Sequence, residues 1–123
     1  MDRKEIEKLI WTFFDASYAR DLDGMAACFH QGSEYLGFNP DGTLEKMSGE
    51  AFIAGLRVLA ADHPSPDYPR FNEILSIDFT GENAAVARTK IRVMNILYTD
   101  ILCFMRLNGK WGIITKLASG VPI

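Results

Sequence analysis

Asp15 and Tyr18 form the first pair of side chains whose spacing could support chemistry. They lie three residues apart in a segment with helical periodicity, beside Phe14, so they project from neighbouring parts of one helix surface. Such a pair would present a carboxylate and a phenol at one end of a pocket. The alternative is a helix-surface Asp15 next to a half-buried Tyr18.

Arg57 is the next candidate, because it follows Leu56 on an otherwise apolar helical segment. An inward-facing guanidinium could bind a carboxylate or a phosphate through two parallel hydrogen bonds. An outward-facing one would be an ordinary solvated charge. If Asp15, Tyr18 and Arg57 form the catalytic set of an isomerase, lyase or hydrolase, they must converge in the same cavity.

Charged residues also mark the C-terminal part of the chain. Arg88, Lys90 and Arg92 alternate with apolar residues, a pattern typical of a solvent-facing row on a strand and at best a weak anion patch. Asp100 begins an apolar strand and Lys116 lies on the strand beside it. We predict a structural ion pair between these two residues across the hairpin.

The cysteines argue against metal and redox functions. Cys28 and Cys103 lie in apolar surroundings, without CxxC spacing and without the cluster of histidines that a metal site requires. Buried, reduced thiols are therefore expected, and neither a metal site nor a cofactor is predicted.

Composition narrows the class of protein further. The 123 residues, 48% of them hydrophobic, predict a single globular domain over residues 1–123. The net charge of −3 argues against nucleic acid as a partner, because binding phosphates requires clustered cations in excess. The sequence contains neither the apolar segment of a secretory signal nor a run that could cross a bilayer. We therefore expect a cytoplasmic protein with no membrane partner.

Three predicted helices must position the candidate residues in the first half of the chain, Asp15, Tyr18 and Arg57. The first helix is predicted to run to about Arg20, Asp21 to N-cap the second, and Ser48 to start the third. A short strand over Tyr35–Phe38 and a turn at 40–42 are predicted between the second and third helices. The apolar faces comprise Ile6, Leu9, Ile10, Phe13 and Phe14, then Leu22, Met25, Ala26 and Phe29, then Phe52, Ile53, Leu56, Leu59 and Ala60.

After Arg70 the helical period is replaced by strands. Strands are predicted over Phe71–Phe79, Ala84 to about Met94, Ile101–Leu107 and Trp111–Leu117, and Asn108-Gly109 is the strongest hairpin signal. The segment from Ala84 to Leu117 is thus a pair of β-hairpins. Helices followed by strands are typical of an α+β fold with an antiparallel sheet.

The strand Ile101–Leu107 is apolar on both faces. Helices can cover only one face of such a sheet, so the other face needs a second partner. A second copy of the chain, packed sheet against sheet, is the simplest candidate. A homodimer is therefore predicted.

These elements carry a family resemblance. The run FFDASYARDLDGMAACFH resembles the opening helical hairpin of the nuclear transport factor 2-like superfamily, and TDILCFMRLNGKWGIITKL is similar to its last hairpin. The second run most resembles the family named Putative lumazine-binding. The resemblance implies a cystatin-like cone, in which three N-terminal helices pack in the concave face of a curved, mainly antiparallel sheet around an interior pocket.

The resemblance also tests one known activity. In ketosteroid isomerases of this superfamily a Tyr and two Asp residues act on the substrate. The corresponding positions here are Phe13, Gly37 and Cys103, so that mechanism is not expected. The resemblance further places Tyr35 at a position that lines the cavity.

Three functions remain open. The first is a module that binds a small, partly apolar molecule, neutral or anionic. The second is an enzyme of isomerase or lyase type, and the third is a dimeric interaction domain with a filled core. The candidate pocket residues are Phe13, Phe14, Asp15, Tyr18, Tyr35, Arg57, Met94 and Cys103.

Overall fold

The computed structural model describes residues 2–123. Two helices precede the first two strands, the third helix follows them, and the remaining four strands then follow one another along the chain. The helices are α1 (Asp2–Ala19), α2 (Leu22–Ala26) and α3 (Gly49–Asp62). The strands are β1 (Phe29–Phe38), β2 (Leu44–Ser48), β3 (Asn72–Thr80), β4 (Ala84–Val93), β5 (Ile96–Leu107) and β6 (Lys110–Pro122).

The six strands form one sheet in the order β2-β1-β6-β5-β4-β3. Only β1 and β6 pair in parallel, and every other neighbouring pair in the described sheet is antiparallel. The helices lie on the concave face of this curved sheet, so the predicted α+β class and its layering are confirmed. The paired hairpins also form as predicted, since β5 pairs with β4 on one side and with β6 on the other.

The helix caps follow the sequence signals. The Asp21 carboxylate accepts a hydrogen bond from the Gly24 N–H at 3.0 Å, and the Ser48 hydroxyl accepts one from the Ala51 N–H at 3.0 Å. Each cap satisfies a helix-end N–H that would otherwise lack a partner. Helices α2 and α3 therefore begin where the sequence predicts.

Arg20 ends α1 in a left-handed conformation, with a φ of 60°. The Asp21 N–H donates to the Ala16 carbonyl at 2.8 Å, and the Arg20 N–H donates to the Ser17 carbonyl at 3.2 Å. This hydrogen-bond pair is the Schellman motif, whose left-handed position is usually glycine. A side chain there costs about 1 kcal/mol, so Arg20 occupies a position where glycine would fit more easily.

Several strand boundaries were predicted wrongly. Phe29, assigned to the apolar face of the second helix, instead begins β1 and pairs with Ile113. The short strand β2 was not predicted, and β1 is longer than Tyr35–Phe38. The strand predicted to begin at Ile101 begins at Ile96, because a two-residue turn at Met94 and Asn95 joins β4 to β5.

Opposite faces of the sheet differ in burial. On β4, Ala87 and Thr89 are fully buried against the helices. Of the row predicted to face solvent, Arg88 is exposed, whereas Lys90 and Arg92 are half-buried. On β5, Leu102 and Phe104 are buried, and the opposite face, with Ile101 and Cys103, remains partly exposed. No helix in residues 2–123 is long and apolar enough to cross a membrane.

Candidate functional site

A cavity of about 120 Å³ lies between the three helices and the concave face of the sheet. For scale, an engineered apolar cavity of roughly 150 Å³ holds a benzene molecule. The walls of the cavity in this protein are mostly apolar and aromatic, with few polar groups. They comprise Phe13, Ser17, Arg20, Leu22, Met25, Tyr35, Phe52, Leu56, Leu59, Ala60, Ile91, Val93, Tyr98, Lys116 and Ala118.

The floor of the cavity carries a buried ion pair. The Lys116 ammonium lies 2.6 Å from a carboxylate oxygen of Asp100, and the two side chains are 6% and 1% exposed. Asp100 and Lys116 lie on the paired strands β5 and β6, both with their side chains on the concave face. The predicted ion pair is therefore confirmed, and its lysine also lines the cavity.

Three aromatic rings surround the same ammonium. The Nζ atom of Lys116 lies 6.0 Å from the ring centre of Phe13, 5.7 Å from that of Tyr35 and 5.5 Å from that of Phe52. Tyr35 and Phe52 are themselves stacked, with centroids 4.4 Å apart. Attraction between the cation and these rings offsets part of the cost of removing the charge from water.

The floor also has unused hydrogen-bonding capacity. Oδ1 of Asp100 and Oγ1 of Thr89 are buried and have no hydrogen-bond partner among residues 2–123. The two residues are direct partners in the β4–β5 register. Buried polar atoms are paired in most proteins, so two unpaired atoms on neighbouring strands distinguish this part of the core.

Two tyrosines complete the polar lining on this side. Burial raises the pKa of Tyr35 to about 12, and the negative charge of Glu45 contributes in the same direction. Burial likewise raises the pKa of Tyr98, with a contribution from Asp100. Both phenols therefore remain neutral well into the alkaline range and can donate hydrogen bonds to a ligand.

Gly37, which follows Tyr35 on β1 after one residue, leaves space for the Tyr35 hydroxyl. A Cβ atom at this position would come within 2.8 Å of that oxygen. Gly37 therefore contributes to the position of Tyr35 rather than supplying a functional group.

Arg20 lies at the mouth, because Arg20, Leu22 and Ala60 line both the cavity and a cleft on the outer surface. Its Nε donates to the His63 carbonyl at 3.1 Å, and its Nη1 donates to the Tyr68 hydroxyl at 2.9 Å. The loop after α3 is thereby held against the end of α1.

The Tyr68 ring lies between two arginines. The guanidinium carbons of Arg20 and Arg92 are each 5.6 Å from its centroid. The Tyr18 hydroxyl donates to the Tyr68 carbonyl at 2.9 Å, and the two tyrosine rings meet edge to face. Tyr18 therefore anchors this loop and does not line the cavity.

Of the eight candidates, only Phe13 and Tyr35 line the cavity. Phe14 is fully buried beside Phe13 but faces the core, where its ring meets Trp11 edge to face. Asp15 is exposed and forms an ion pair with Arg70. The periodicity that identified these residues fixes their helix face only coarsely, and adjacent positions differ by about 100° in direction.

Arg57, Met94 and Cys103 also lie outside the cavity. Arg57 faces outward and forms an exposed ion pair with Asp23 at 2.6 Å. Met94 occupies the β4–β5 turn with a φ of 55°. Cys103 faces away from the helices, because it alternates with the inward-facing Leu102 and Phe104. Asp15, Tyr18 and Arg57 therefore do not converge in one cavity.

Both cysteines are free thiols. Cys28 is buried, and burial raises the pKa of its thiol to about 11. Burial also raises the pKa of Cys103, which is only partly exposed. Within the described part of the chain, no group of three or more His, Cys, Asp or Glu residues could hold a metal ion.

The chain resembles several solved structures over nearly its full length. A nuclear transport factor 2-like protein of unknown function from Shewanella baltica has a TM-score of 0.87 at 21% identity, with 99% of this chain and 95% of that chain covered. A second such protein, from Silicibacter pomeroyi, has a TM-score of 0.79 at 22% identity, with 94% and 92% covered.

A domain of unknown function with a cystatin-like fold, from Nostoc punctiforme, has a TM-score of 0.76 at 19% identity, with 96% of this chain and 76% of that chain covered. At these identities the likeness shows the fold alone. None of the curated proteins matches the sequence.

A family model gives the more specific assignment. It spans residues 1–118, and so includes the opening helices, both hairpins and every residue of the cavity wall. The helices on the concave face, the strand order and this match agree with one another, and the chain belongs to the family described as Putative lumazine-binding, with the nuclear transport factor 2-like fold.

Proposed function

We propose that the chain binds a small, largely apolar molecule in the interior cavity, with a polar atom of that molecule facing Lys116. The observation that carries the proposal is the buried Lys116–Asp100 pair at the floor of an otherwise apolar cavity. Burying two charges is costly, and an apolar pair of similar volume would often be as stable. An ammonium has three N–H donors and Asp100 uses one, so donors remain available to a ligand.

The family assignment supports small-molecule binding, since its description names lumazine. Binding is preferred to catalysis by the set Asp15, Tyr18 and Arg57, because those side chains lie apart on the surface or in a loop contact. The cavity also argues against a purely structural interaction domain, for which a filled core is expected.

Filling the cavity tests the proposal. Ile91 lines the cavity on β4, and Ile91→Trp should reduce binding at least about tenfold by occupying the ligand's volume. Val86→Trp is the matched control, because Val86 lies on the opposite face of the same strand. Titration of the folded protein with lumazine and with phenylacetamide, followed by NMR amide shifts, measures affinity. Equal binding by wild type and Ile91→Trp, or no binding of either probe by wild type, would contradict the proposal.

We also propose a homodimer formed through the outer sheet face, in a cytoplasmic setting. The partly exposed Ile101 and Cys103, with Met105 38% exposed, give this face an apolar centre. The free thiols support a reducing compartment.

Sedimentation at micromolar concentration tests the dimer, for which twice the 13.8 kDa chain mass is expected. Ile101→Lys should shift the population toward monomer, since it places a charge in the contact. Alkylation of Cys103 should accelerate on dilution, and Cys103→Ser identifies the slower signal of Cys28. A wild type that sediments only as monomer would disprove the dimer.

A further inference from the structure

The guanidinium of Arg20 has hydrogen-bonding capacity that the protein does not use. Nη2 of Arg20 is buried and has no partner within residues 2–123. The other two nitrogens bind the His63 carbonyl, the Ser17 carbonyl and the Tyr68 hydroxyl. All these acceptors are neutral, and Arg20 forms no ion pair with any carboxylate of the described residues.

Neither carboxylate of the outer cleft pairs with Arg20, because Asp21 caps α2 and Asp23 pairs with Arg57. At the floor, Asp100 neutralises Lys116. Arg20 and Arg92 both contact the Tyr68 ring, and the Arg92 side chain binds only the neutral Met94 carbonyl and Asn95 side chain. The charged residues of the cleft, Arg20, Asp21, Asp23 and Arg57, together carry no net charge, so Arg20 is distinguished by its lack of a direct carboxylate partner.

The backbone at Arg20 gives an independent indication. Its left-handed φ of 60° is one that glycine adopts without strain and other residues adopt at a cost. Strained positions of this kind cluster at functional sites. The strained residue is Arg20, and its side chain both binds the loop after α3 and leaves Nη2 unpaired.

From these observations we propose that the ligand is a small monocarboxylate with an apolar body, and that Arg20 determines this specificity by binding the carboxylate at the mouth. The apolar body extends inward among Leu56, Ile91 and Val93, which line the cavity, and the polar atom that faces Lys116 lies at its inner end. A cavity near 120 Å³ accommodates a body of about the size of one benzene ring. This inference rests on the proposed binding function and names the ligand class of that site.

Phenylacetate and its neutral isostere phenylacetamide are the probes, with affinities measured by NMR titration. Wild type should bind phenylacetate about tenfold or more tightly than phenylacetamide, because a charge-assisted hydrogen bond in a partly buried site has that strength. Arg20→Gly should remove this preference, so that the ratio of its affinities for phenylacetate and phenylacetamide falls to about one. Since glycine suits the left-handed position, this variant is expected to fold, which a thermal melt verifies.

Arg88→Gln is the matched control for charge, because it removes one cation from the outer face of the sheet, away from the cavity. It should leave the preference for phenylacetate unchanged. Should Arg20→Gly fail to fold, Arg20→Lys replaces it. Lysine keeps the charge but lacks the guanidinium fork, so phenylacetate should bind more weakly than to wild type.

The outcomes separate this inference from the function on which it rests. If wild type binds phenylacetate and phenylacetamide equally, or if Arg20→Gly keeps the wild-type preference, the carboxylate assignment is overturned and the binding function stands. Preferential binding of phenyl phosphate over phenylacetate would overturn it in favour of a phosphate. Binding of neither phenylacetate nor phenylacetamide by wild type would overturn the binding function and this inference together.

Discussion

Asp100→Ala is expected to lower the free energy of unfolding by about 3–5 kcal/mol, because removing one partner of a buried ion pair leaves an uncompensated charge. Lys116 would keep only the aromatic rings of Phe13, Tyr35 and Phe52 as neighbours. These rings attract a cation but accept no strong hydrogen bond. Denaturation in guanidinium chloride, followed by circular dichroism, measures the loss.

The double variant Asp100→Leu, Lys116→Met provides the control. It removes both charges and keeps an apolar volume, so its stability should lie much closer to wild type than that of Asp100→Ala. A ligand that uses the Lys116 ammonium should nevertheless bind poorly to this double variant. A loss below about 1 kcal/mol for Asp100→Ala would instead be typical of a solvated pair and would contradict the burial described here.

Phe13→Ala and Phe14→Ala form the second test, since two adjacent and equally buried phenylalanines differ in what they face. Each is expected to destabilise the fold by about 3–5 kcal/mol, through lost apolar burial and the space left behind. Phe13 also forms a wall of the cavity and Phe14 does not. Only Phe13→Ala should therefore change which ligand sizes bind.

Comparison of benzamide with the larger 1-naphthamide gives the measurement, at a temperature where both variants remain folded. Phe13→Ala should improve the binding of the larger probe relative to the smaller one. Phe14→Ala should leave this ratio as in wild type. An altered ratio in Phe14→Ala, or an unaltered one in Phe13→Ala, would show that the ligand lies elsewhere.

The features predicted correctly from sequence are those with local causes. Asp21 and Ser48 cap helices because their side chains bind N–H groups three residues further on. The Asn108-Gly109 pair forms the β5–β6 turn with φ angles of 52° and 77°, which these residue types tolerate. Family resemblance then supplied the arrangement of the helices around the sheet.

The errors arose where the cause is not local. Met94 takes the left-handed position of a two-residue hairpin turn, where glycine is usual, so no sequence signal marked the start of β5. Its conformation is held by Arg92, whose Nε donates to the Met94 carbonyl at 2.8 Å. Arg57 faces outward, where its charge stays hydrated, and its partner there is Asp23, which is distant in sequence.

Some residues of the cavity wall could be predicted from sequence, and others could not. The alternation of apolar residues on β4 correctly predicted the inward-facing Ala87, Thr89 and Ile91. Arg20 could not be assigned to the cavity wall from sequence, because a charged residue just beyond a helix end is ordinarily solvated. Only the fold, which brings Tyr68 and His63 to that helix end, makes Arg20 part of the site.

The parallel pairing of β1 with β6 affects how the protein can fold while it is being synthesised. Tyr35 on β1 lies directly beside Lys116 on β6, yet β6 is synthesised after every other strand. Until it emerges, β1 and β2 have no neighbour linking them to the rest of the sheet. Contacts between such distant segments form slowly. The floor of the cavity therefore forms only when this last strand joins β1 and β5, because Asp100 obtains its lysine partner from it.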